Sequence, residues 1–420
     1  MLNFIKRFLL FISLYHILNT IIVYGIFDGN YSTLFSLIKD LAWIVFVLFV
    51  LIKNHKSIKD FFVIFNKPII LFSLALIVGL IVSFLNGKGI KDIIIGYKYD
   101  LHFALIIISC IFVGFIFKNK GKRTDIIDIF KFLFKLMIFI IIFGVIWQTG
   151  KLWFKDFYYF LGYGPLADYK VGDNPPIYYL TGYQGNPRLS GIFSGPNNYG
   201  YLLVGLFSLF TYMLSNLKDK KDRIIYGITY LFNGIFTLSR GLIVGIGAQL
   251  IIKLNFLVKY LNKKQIIGIG IIGIIILGSL TIRKGKSTIE HFQQSSIGVQ
   301  KMIEKPLGYG FGTAGPSVHH NGSILPENTM IQIILDLGII GFVFWMRFFI
   351  YLIKISLKLD KKENGKLGIY LELITIGIIG LFVEGLFLHV FEDSMVNYLI
   401  FIPWGILIGY LIDNKSIQTK

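Results

Sequence analysis

Long apolar runs separated by short polar segments repeat along nearly the whole chain. Each run holds about 18 or more mostly apolar residues, the length that an α-helix needs to cross the hydrocarbon core of a bilayer. We therefore expect an all-α polytopic membrane protein in which residues 1–420 form a single integral membrane domain. The runs predict about twelve transmembrane helices, at 8–27, 32–52, 69–85, 101–117, 128–148, 198–216, 224–239, 241–258, 265–282, 329–352, 367–388 and 395–412.

Composition supports the membrane interpretation and excludes a separate soluble enzyme domain. The chain is 55% hydrophobic and 15% charged, and its mean hydropathy is +0.70, far from the balance of a soluble protein. Its single cysteine, Cys110, falls inside an apolar run. A disulfide or a cysteine metal site is therefore excluded, and we expect neither a metal nor a cofactor.

The positions of Lys and Arg predict how the chain is oriented. If both termini are cytoplasmic, most of the basic residues fall in cytoplasmic segments, as the positive-inside rule requires. The net charge of +19 then favours anionic lipid headgroups, and nucleic-acid binding is unnecessary to explain it. A composition rich in Ile, Lys, Asn and Phe is typical of an AT-rich bacterial genome, so we expect a multi-pass protein of a bacterial plasma membrane.

Two long outer loops, 149–197 and 283–328, stand out among the short connections. In the first, aromatic residues next to the preceding helix are typical of interfacial anchors. Tyr178, Tyr179 and Tyr183 lie too far along the loop for that role, and their rings suit the apolar face of a sugar. The second loop begins with a stretch predicted to be helical, "STIEHFQQSSIGVQKMIEKP". Its glycine-rich continuation lacks the strand and helix of a nucleotide site, so we reject nucleotide binding.

Arg240 lies within an apolar segment, "LFNGIFTLSRGLIVGIGAQL". A single long helix here would put the basic runs "KDKKDR" and "KYLNKK" on opposite sides of the membrane. A tight turn at residues 239–241 returns both runs to the cytoplasm and places Arg240 at the outer end of a helical hairpin. The arginine then either meets an anion outside or extends to the headgroups.

Four segments resemble, in order, motifs of the O-antigen polymerase and O-antigen ligase superfamily. They are "RLSGIFSGPNNYG", "TLSRG", "EKPLGYGFGTAG" and "ENTMIQIILDLGIIGF". The resemblance implies a C-type glycosyltransferase that acts at the outer face on sugars carried by undecaprenyl diphosphate, without a metal or a nucleotide. Among its members the chain is most like a capsular or exopolysaccharide repeat-unit polymerase.

The resemblance also implies roles for particular residues. The superfamily pattern has an arginine at the positions of Arg188 and Arg240, and guanidinium groups suit the charge that builds on a departing diphosphate. Many members have a histidine directly before the asparagine that enters the next helix, but here that position is Glu327. The departure leaves three alternatives for the base that accepts the hydroxyl proton, in the order Glu327, His320 and His319.

Other polar residues beside these motifs have two interpretations each. Asn197 and Asn198 either cap the helix that follows or contact sugar or phosphate, and Asn328 has the same alternatives at its own helix. Asp393, next to Glu392 in "HVFEDS", either caps the last helix, holds acceptor hydroxyls or pairs with an arginine.

The function that we expect is a polysaccharide polymerase. It would move a growing glycan from undecaprenyl diphosphate to the non-reducing end of a second lipid-linked repeat, with membrane lipids and a chain-length regulator protein as partners. A ligase that passes finished polymer to another acceptor is the first alternative, and the missing histidine before Asn328 counts against it. A flippase for lipid-linked oligosaccharides is the second, but it needs a charge-lined path through the bilayer.

Overall fold

A computed structural model describes residues 1–120, 122–165, 174–180, 187–257, 285–317, 326–362 and 365–412 of the chain. These residues are mainly helical, as the apolar runs predict. The helices are α1 (Leu2–Asn19, continued by a π-helical turn at Thr20–Ile26), α2 (Ser32–Lys53), α3 (Ile58–Ile64), α4 (Asn66–Leu85), α5 (Ile90–Asp100), α6 (His102–Lys120), α7 (Arg123–Trp153), α8 (Lys155–Phe160), α9 (Pro196–Ser215), α10 (Lys220–Phe236), α11 (Arg240–Leu257), α12 (Gly285–Glu304), α13 (Thr329–Lys362), α14 (Lys366–Glu384) and α15 (Ser394–Leu411).

Seven helices in the described ranges are long and apolar enough to cross a membrane. The pair α5 and α6, bent by 56° at its break, makes eight if it counts as one span. This agrees with an all-α polytopic membrane protein. The twelve-span count stays a prediction: α9, α10 and α11 occupy predicted positions without being among the seven, and the run 265–282 lies outside the described residues.

Helices α6 and α15 form the most closely packed pair. They run in the same direction, because His102 lies beside Tyr398 at one end and Lys118 Nζ donates to the Ile412 carbonyl at the other. Glycines make the close approach possible: a Cβ on Gly405 would lie 2.5 Å from that of Cys110. Cys110 is a free, fully buried thiol in this packed seam.

The first long loop starts later than predicted, because α7 continues to Trp153. Lys151 is buried in this last turn, with its Nζ 4.0 Å from the centre of the Tyr163 ring. The loop then contains α8 and a two-stranded antiparallel hairpin of β1 (Tyr179–Leu180) and β2 (Pro187–Arg188). The second loop contains α12, where the sequence predicts a helix.

Helix α13 opens at Gly338 to receive the second loop. Gly338 has a φ of 71°, and a Cβ there would lie 2.3 Å from the Leu307 carbonyl oxygen, so the position requires glycine. On either side of this break, Tyr309 N donates to Leu335 O at 2.7 Å and Ile339 N to Pro306 O at 2.9 Å. The loop is thereby bonded to the transmembrane helix itself.

Five helix termini meet at one end of the bundle, which we call the site end: the starts of α9, α11, α13 and α15 and the end of α14. Thr329 N, at the start of α13, donates to Gly385 O at 2.9 Å just past α14. Ser194, just before α9, bonds Asp393 before α15 at 3.0 Å. All five termini belong to the side that the charge pattern predicts to be outer.

Candidate functional site

Arg188 is held between the first long loop and the turn that carries Arg240. Strand β2 pairs it with Tyr179 of β1. Its Nε donates to the Thr237 carbonyl at 2.9 Å, and its Nη2 donates to Asn197 Oδ1 at 2.8 Å. Both acceptors are neutral, so these bonds orient the guanidinium group without cancelling its charge.

The two arginines predicted from the motifs lie close enough to interact electrostatically. Burial, together with the nearby charge of Arg240, lowers the pKa of Arg188 to about 10. The group therefore stays charged at neutral pH. Arg240 is the first residue of α11, where the helix dipole adds partial positive charge. The chain breaks between α10 and α11 at residues 237–239, with Leu238 at a φ of 49°, two residues before the predicted turn at 239–241.

A hydrogen-bond network centred on Ser194 fastens the first loop to the start of α15. Ser194 Oγ donates to Asp393 Oδ2 at 3.0 Å and accepts from Asn198 Nδ2 at 2.6 Å. Tyr179 OH donates to the Ser194 carbonyl at 2.5 Å. Asp393 also caps α15, because its Oδ1 accepts from Met395 N at 2.8 Å. The predicted capping role of Asp393 is confirmed.

Two acidic residues of the segment before α15, Glu392 and Asp393, interact electrostatically with Tyr201, as Arg188 does. Burial, with Asp393 adjacent, raises the pKa of Glu392 to about 8. Burial also raises the pKa of Asp393, although the hydrogen bond from Ser194 opposes that shift. Acidic and basic groups therefore both lie near this one tyrosine side chain, which belongs to α9.

Residues 385–393, which we call the connector, join α14 to α15 and pack against the start of α13. Thr329 Oγ1 donates to Leu388 O at 3.0 Å and accepts from Val390 N at 2.7 Å. Asn328 Nδ2 donates to Leu386 O at 2.7 Å. Asn328 Oδ1 accepts from Met330 N at 2.8 Å, which confirms its predicted capping role. Glu327, half-buried, directly precedes this cap.

The connector also contacts the turn that carries Arg240. A Cβ on Gly241 would lie 2.5 Å from a Leu388 methyl carbon and 2.9 Å from Glu384 Oε1, so this close packing requires glycine. Glu384, the last residue of α14, is fully buried. Within the described part of the chain, its two carboxyl oxygens have no hydrogen-bond partner. The connector thus reaches both arginine-bearing segments, at Leu388 and at Asp393.

In the glycine-rich part of the second loop, successive backbone amides converge on a side chain of the protein itself. Backbone N–H groups of Gly312, Thr313 and Ala314 donate to the Asp336 carboxylate of α13 at 3.2, 3.1 and 2.8 Å. Successive amides that converge in this way bind anions in many proteins. Here Asp336, with 0% exposure, already occupies them. The turn is therefore a structural anchor.

Behind the connector, three side chains form a hydrogen-bonded chain. His389 Nδ1 lies 2.8 Å from Gln332 Oε1, and Gln332 Nε2 donates to Asp100 Oδ1 at 2.8 Å. Trp345 Nε1 donates to the Asp100 carbonyl at 3.3 Å and holds the end of α5 in place. The chain links the broken span α5–α6 to α13 and the connector.

The structure brings most of the predicted site residues to the site end. Those gathered there are Arg188, Arg240, Asn197, Asn198, Tyr179, Glu327, Asn328 and Asp393. Tyr178 instead packs with an aromatic cluster of the first loop that contains Tyr158 and Tyr163. The remaining three, Tyr183, His319 and His320, lie outside the described residues.

The predicted capping of α9 by Asn197 and Asn198 is wrong. Gly195 is the N-cap and Pro196 begins the helix, without a side-chain cap. The amide oxygen of Asn197 accepts from Arg188, and the amide nitrogen of Asn198 donates to Ser194. Tertiary partners therefore take the groups that would otherwise cap the helix.

Sequence reasoning missed Glu384, His389 and Gln332. Gln332 and Asp336 do carry a signal, because polar residues four apart in an apolar helix lie on one face and point to a polar contact inside the bundle. His389 carries a weaker signal, because it begins the stretch "HVFEDS", which contains the adjacent acidic residues Glu392 and Asp393. Glu384 has no local signal apart from a charge at the end of an apolar run.

An apolar cavity lies at the opposite end of the bundle from the arginines. Its volume is about 930 Å³, and α1, α2 and α6 line it with side chains such as Leu2, Phe46 and Ile116. Its lining does not include the site residues described above.

Comparison of the chain with protein-family models, with curated proteins and with solved structures finds no match. The fold itself defines the class, an all-α polytopic membrane protein with a polar, charged site at one end of its helices.

Proposed function

We propose that the protein is a metal-independent glycosyltransferase that polymerises lipid-linked repeat units. It would act at the outer face of a bacterial plasma membrane, with both termini cytoplasmic. The reaction moves the growing glycan from undecaprenyl diphosphate to the non-reducing end of another lipid-linked repeat. The observation that carries the proposal is the pair Arg188 and Arg240, brought together at the site end from segments about 50 residues apart.

The arginine pair suits a diphosphate leaving group. The bond that breaks joins an anomeric carbon to a diphosphate oxygen, so negative charge grows on that oxygen in the transition state. A guanidinium group has five N–H donors, and Arg188 uses Nε and Nη2 to hold Thr237 O and Asn197 Oδ1. The donors that these bonds leave over can bind phosphate oxygens, and their fixed orientation strengthens the interaction as charge develops.

The acceptor sugar would bind on the other side of the arginines, along the connector. Asp393, Asn198 and Tyr179 form a rigid polar surface there through Ser194. Such bonded carboxylate, amide and phenol groups recognise sugar hydroxyls. Glu327, beside the connector, is the base that the sequence ranks first.

The exposed aromatic residues of the first loop fit a site at the level of the lipid headgroups. Trp153 is 78% exposed and Phe160 79% exposed at the end of α7 and in α8. Large exposed rings next to a transmembrane helix are typical of the membrane interface. The isoprenoid chain of the substrate would then lie in the bilayer while its diphosphate reaches the arginines.

The test is the size distribution of undecaprenyl-linked glycans in cells that lack the protein. Copies of the wild type, of Arg240→Ala and of a matched control, Arg223→Ala, are compared; Arg223 is exposed near the start of α10. We expect single repeats on the outer leaflet without the protein and with Arg240→Ala, and long chains with Arg223→Ala. Accumulation of long lipid-linked chains would indicate a ligase, and single repeats on the inner leaflet a flippase.

A further inference from the structure

One wall of the apolar cavity, at the end of the bundle opposite the arginines, is a row of side chains on α2. Leu41, Val45, Phe49 and Lys53 all line the cavity and follow one another at intervals of four residues. Residues four apart in a helix lie on one face, so these side chains form a continuous row along α2. The first three are apolar and exposed, and the row ends in an exposed ammonium group.

Buried apolar side chains close the back of the cavity. Phe46 of α2 stacks on Phe4 of α1, with ring centroids 4.0 Å apart, and both rings line the cavity. Ile116 and Phe117 line it from α6 and are buried. Walls of this kind offer water no hydrogen-bond partners. In a bilayer, hydrocarbon therefore fills the apolar part of the cavity.

The row on α2 has the length of a lipid tail in one leaflet. From Leu41 to Lys53 the helix advances about 18 Å, and the hydrocarbon of one leaflet is about 15 Å deep. The cavity volume of about 930 Å³ falls within the usual range for ligand sites, about 300–1,000 Å³. A tail that lies along the row reaches from the middle of the bilayer to the headgroup level, where Lys53 lies.

The polar rim of the cavity suits a negatively charged headgroup. Within the described residues Lys53 has no ion pair, and its Nζ lies 5.6 Å from the centre of the Phe49 ring, in the same row. The acidic residue on the rim is Asp125, whose Oδ2 accepts from the backbone N–H of Lys122 at 3.0 Å at the start of α7. Lys122 and Arg123 are exposed beside it, so basic residues outnumber the acidic one at this end.

We propose that the apolar cavity binds an anionic phospholipid, with an acyl chain along the row on α2 and the phosphate at Lys53. This lipid is separate from the glycan carrier, because a headgroup at Lys53 lies at the opposite end of the bundle from Arg188 and Arg240. The lipid completes the packing of α2 at this end. Nearer its other end the helix is held by Asp40, whose Oδ1 accepts from Tyr398 OH of α15 at 3.0 Å.

The test uses purified full-length protein, stripped of lipid in detergent, and counts bound lipid by native mass spectrometry. Dioleoylphosphatidylglycerol is anionic, and dioleoylphosphatidylcholine has the same tails without net charge. We expect wild type to bind the anionic lipid about five-fold more tightly, the effect of one basic side chain at an anionic headgroup. Lys53→Gln should lose this preference. Lys59→Gln, exposed in the same polar segment but outside the cavity, is the matched control.

A second variant tests the apolar part of the cavity. Val45→Trp places an indole ring in the row, so it should lack the tightly bound phosphatidylglycerol that wild type retains. Val63→Trp is the matched control, because Val63 is exposed to the same degree and does not line the cavity. Since both positions are exposed, both variants should unfold at the temperature of wild type when lipid is absent.

Three results would overturn the proposal directly: equal affinity of wild type for the two phospholipids, an unchanged preference in Lys53→Gln, or equal lipid retention by Val45→Trp and Val63→Trp. Loss of undecaprenyl diphosphate binding in Val45→Trp would assign the cavity to the isoprenoid carrier instead. A dimer that Val45→Trp dissociates would assign it to a second copy of the chain. Either of these results also overturns the proposal.

Discussion

Two regions of the molecule bring together hydrogen-bond donors that suit an anionic group. They differ in whether the protein itself or a ligand supplies the acceptor. In the second loop, three backbone amides converge on Asp336, a carboxylate from the protein's own α13. At the site end, Arg188 donates to two neutral oxygen atoms and keeps its charge. The donors of the first region are already bonded within the protein, whereas the positive charge of the second region can bind an anionic ligand.

This difference shows that a glycine-rich loop can be a structural anchor while the arginines, elsewhere in the chain, form the candidate ligand site. The glycine pattern alone resembles a phosphate site, yet its amides serve to bond the loop to a helix. The arginines lie in an apolar segment and a loop, where no local pattern requires them, and the fold brings them together. Substitutions in the first region should therefore change stability, and substitutions in the second should change activity.

The largest effect is expected at the site end. Arg188→Ala should lower the chain-extension rate about 100-fold or more, the usual effect of removing one donor that stabilises transition-state charge. Arg188→Lys should lose most of the activity as well, because an ammonium group lacks the planar fork that holds Thr237, Asn197 and a phosphate together. The measurement is the extension rate of the purified variants, with Arg223→Ala as control. A rate for Arg188→Ala equal to that of the control would contradict the assignment.

The next effect is on stability, at Asp336. Asp336→Ala leaves three buried amides without their acceptor and should cost about 3 kcal/mol or more. Asp336→Asn keeps an amide oxygen as acceptor and should cost less. Thermal unfolding of the detergent-solubilised protein measures both. Asp128→Ala, at an exposed carboxylate paired with Lys131, is the control, and equal unfolding temperatures for the two alanine variants would refute the anchoring role.

A smaller effect is expected from a single methyl group in the same turn. Gly312 has a φ of 76°, and a Cβ there would lie 2.6 Å from the Asp92 carbonyl oxygen. Gly312→Ala should therefore destabilise by about 1–3 kcal/mol. Gly247→Ala is the matched control, since a Cβ there meets nothing within 4 Å. The interpretation is wrong if both alanine variants unfold at the same temperature.

The smallest effect is a pH dependence at Glu392. Its pKa is raised to about 8 in the folded protein from an ordinary value of 4.5. The folded state therefore binds the proton more tightly, and this contribution to stability is present below pH 4.5 and is lost as the pH rises towards 8. Glu392→Gln carries no titrating group, so its unfolding temperature should fall less than that of wild type between pH 6 and pH 8. Parallel pH profiles would show that Glu392 titrates normally.

Sequence reasoning predicted the parts of the fold that depend on local pattern. Apolar runs predicted the helices. The two basic runs around residues 231–250 required a turn at 239–241, and the structure has a break two residues earlier, at 237–239. Capping by Asn328 and Asp393 was predictable because the acceptor lies within three residues of the donors.

The other features depend on contacts between distant segments. Asn197 was expected to cap α9, but Arg188 takes its amide oxygen, and no local rule ranks those two partners. The hydrogen bond between His389 and Gln332 joins residues 57 positions apart in the chain. Polar residues inside apolar helices showed that contacts of this kind exist, but only the packing of α13 against the connector shows which residues make them.

The most direct test of the arginine site is binding of undecaprenyl diphosphate to the purified protein, followed as a rise in unfolding temperature. Undecaprenol, which lacks the diphosphate, is the matched ligand, and Arg188→Gln/Arg240→Gln is the matched variant. We predict that the diphosphate stabilises wild type far more than the alcohol does, and that the double variant loses this difference. Equal stabilisation of wild type and the double variant by the diphosphate would contradict the account.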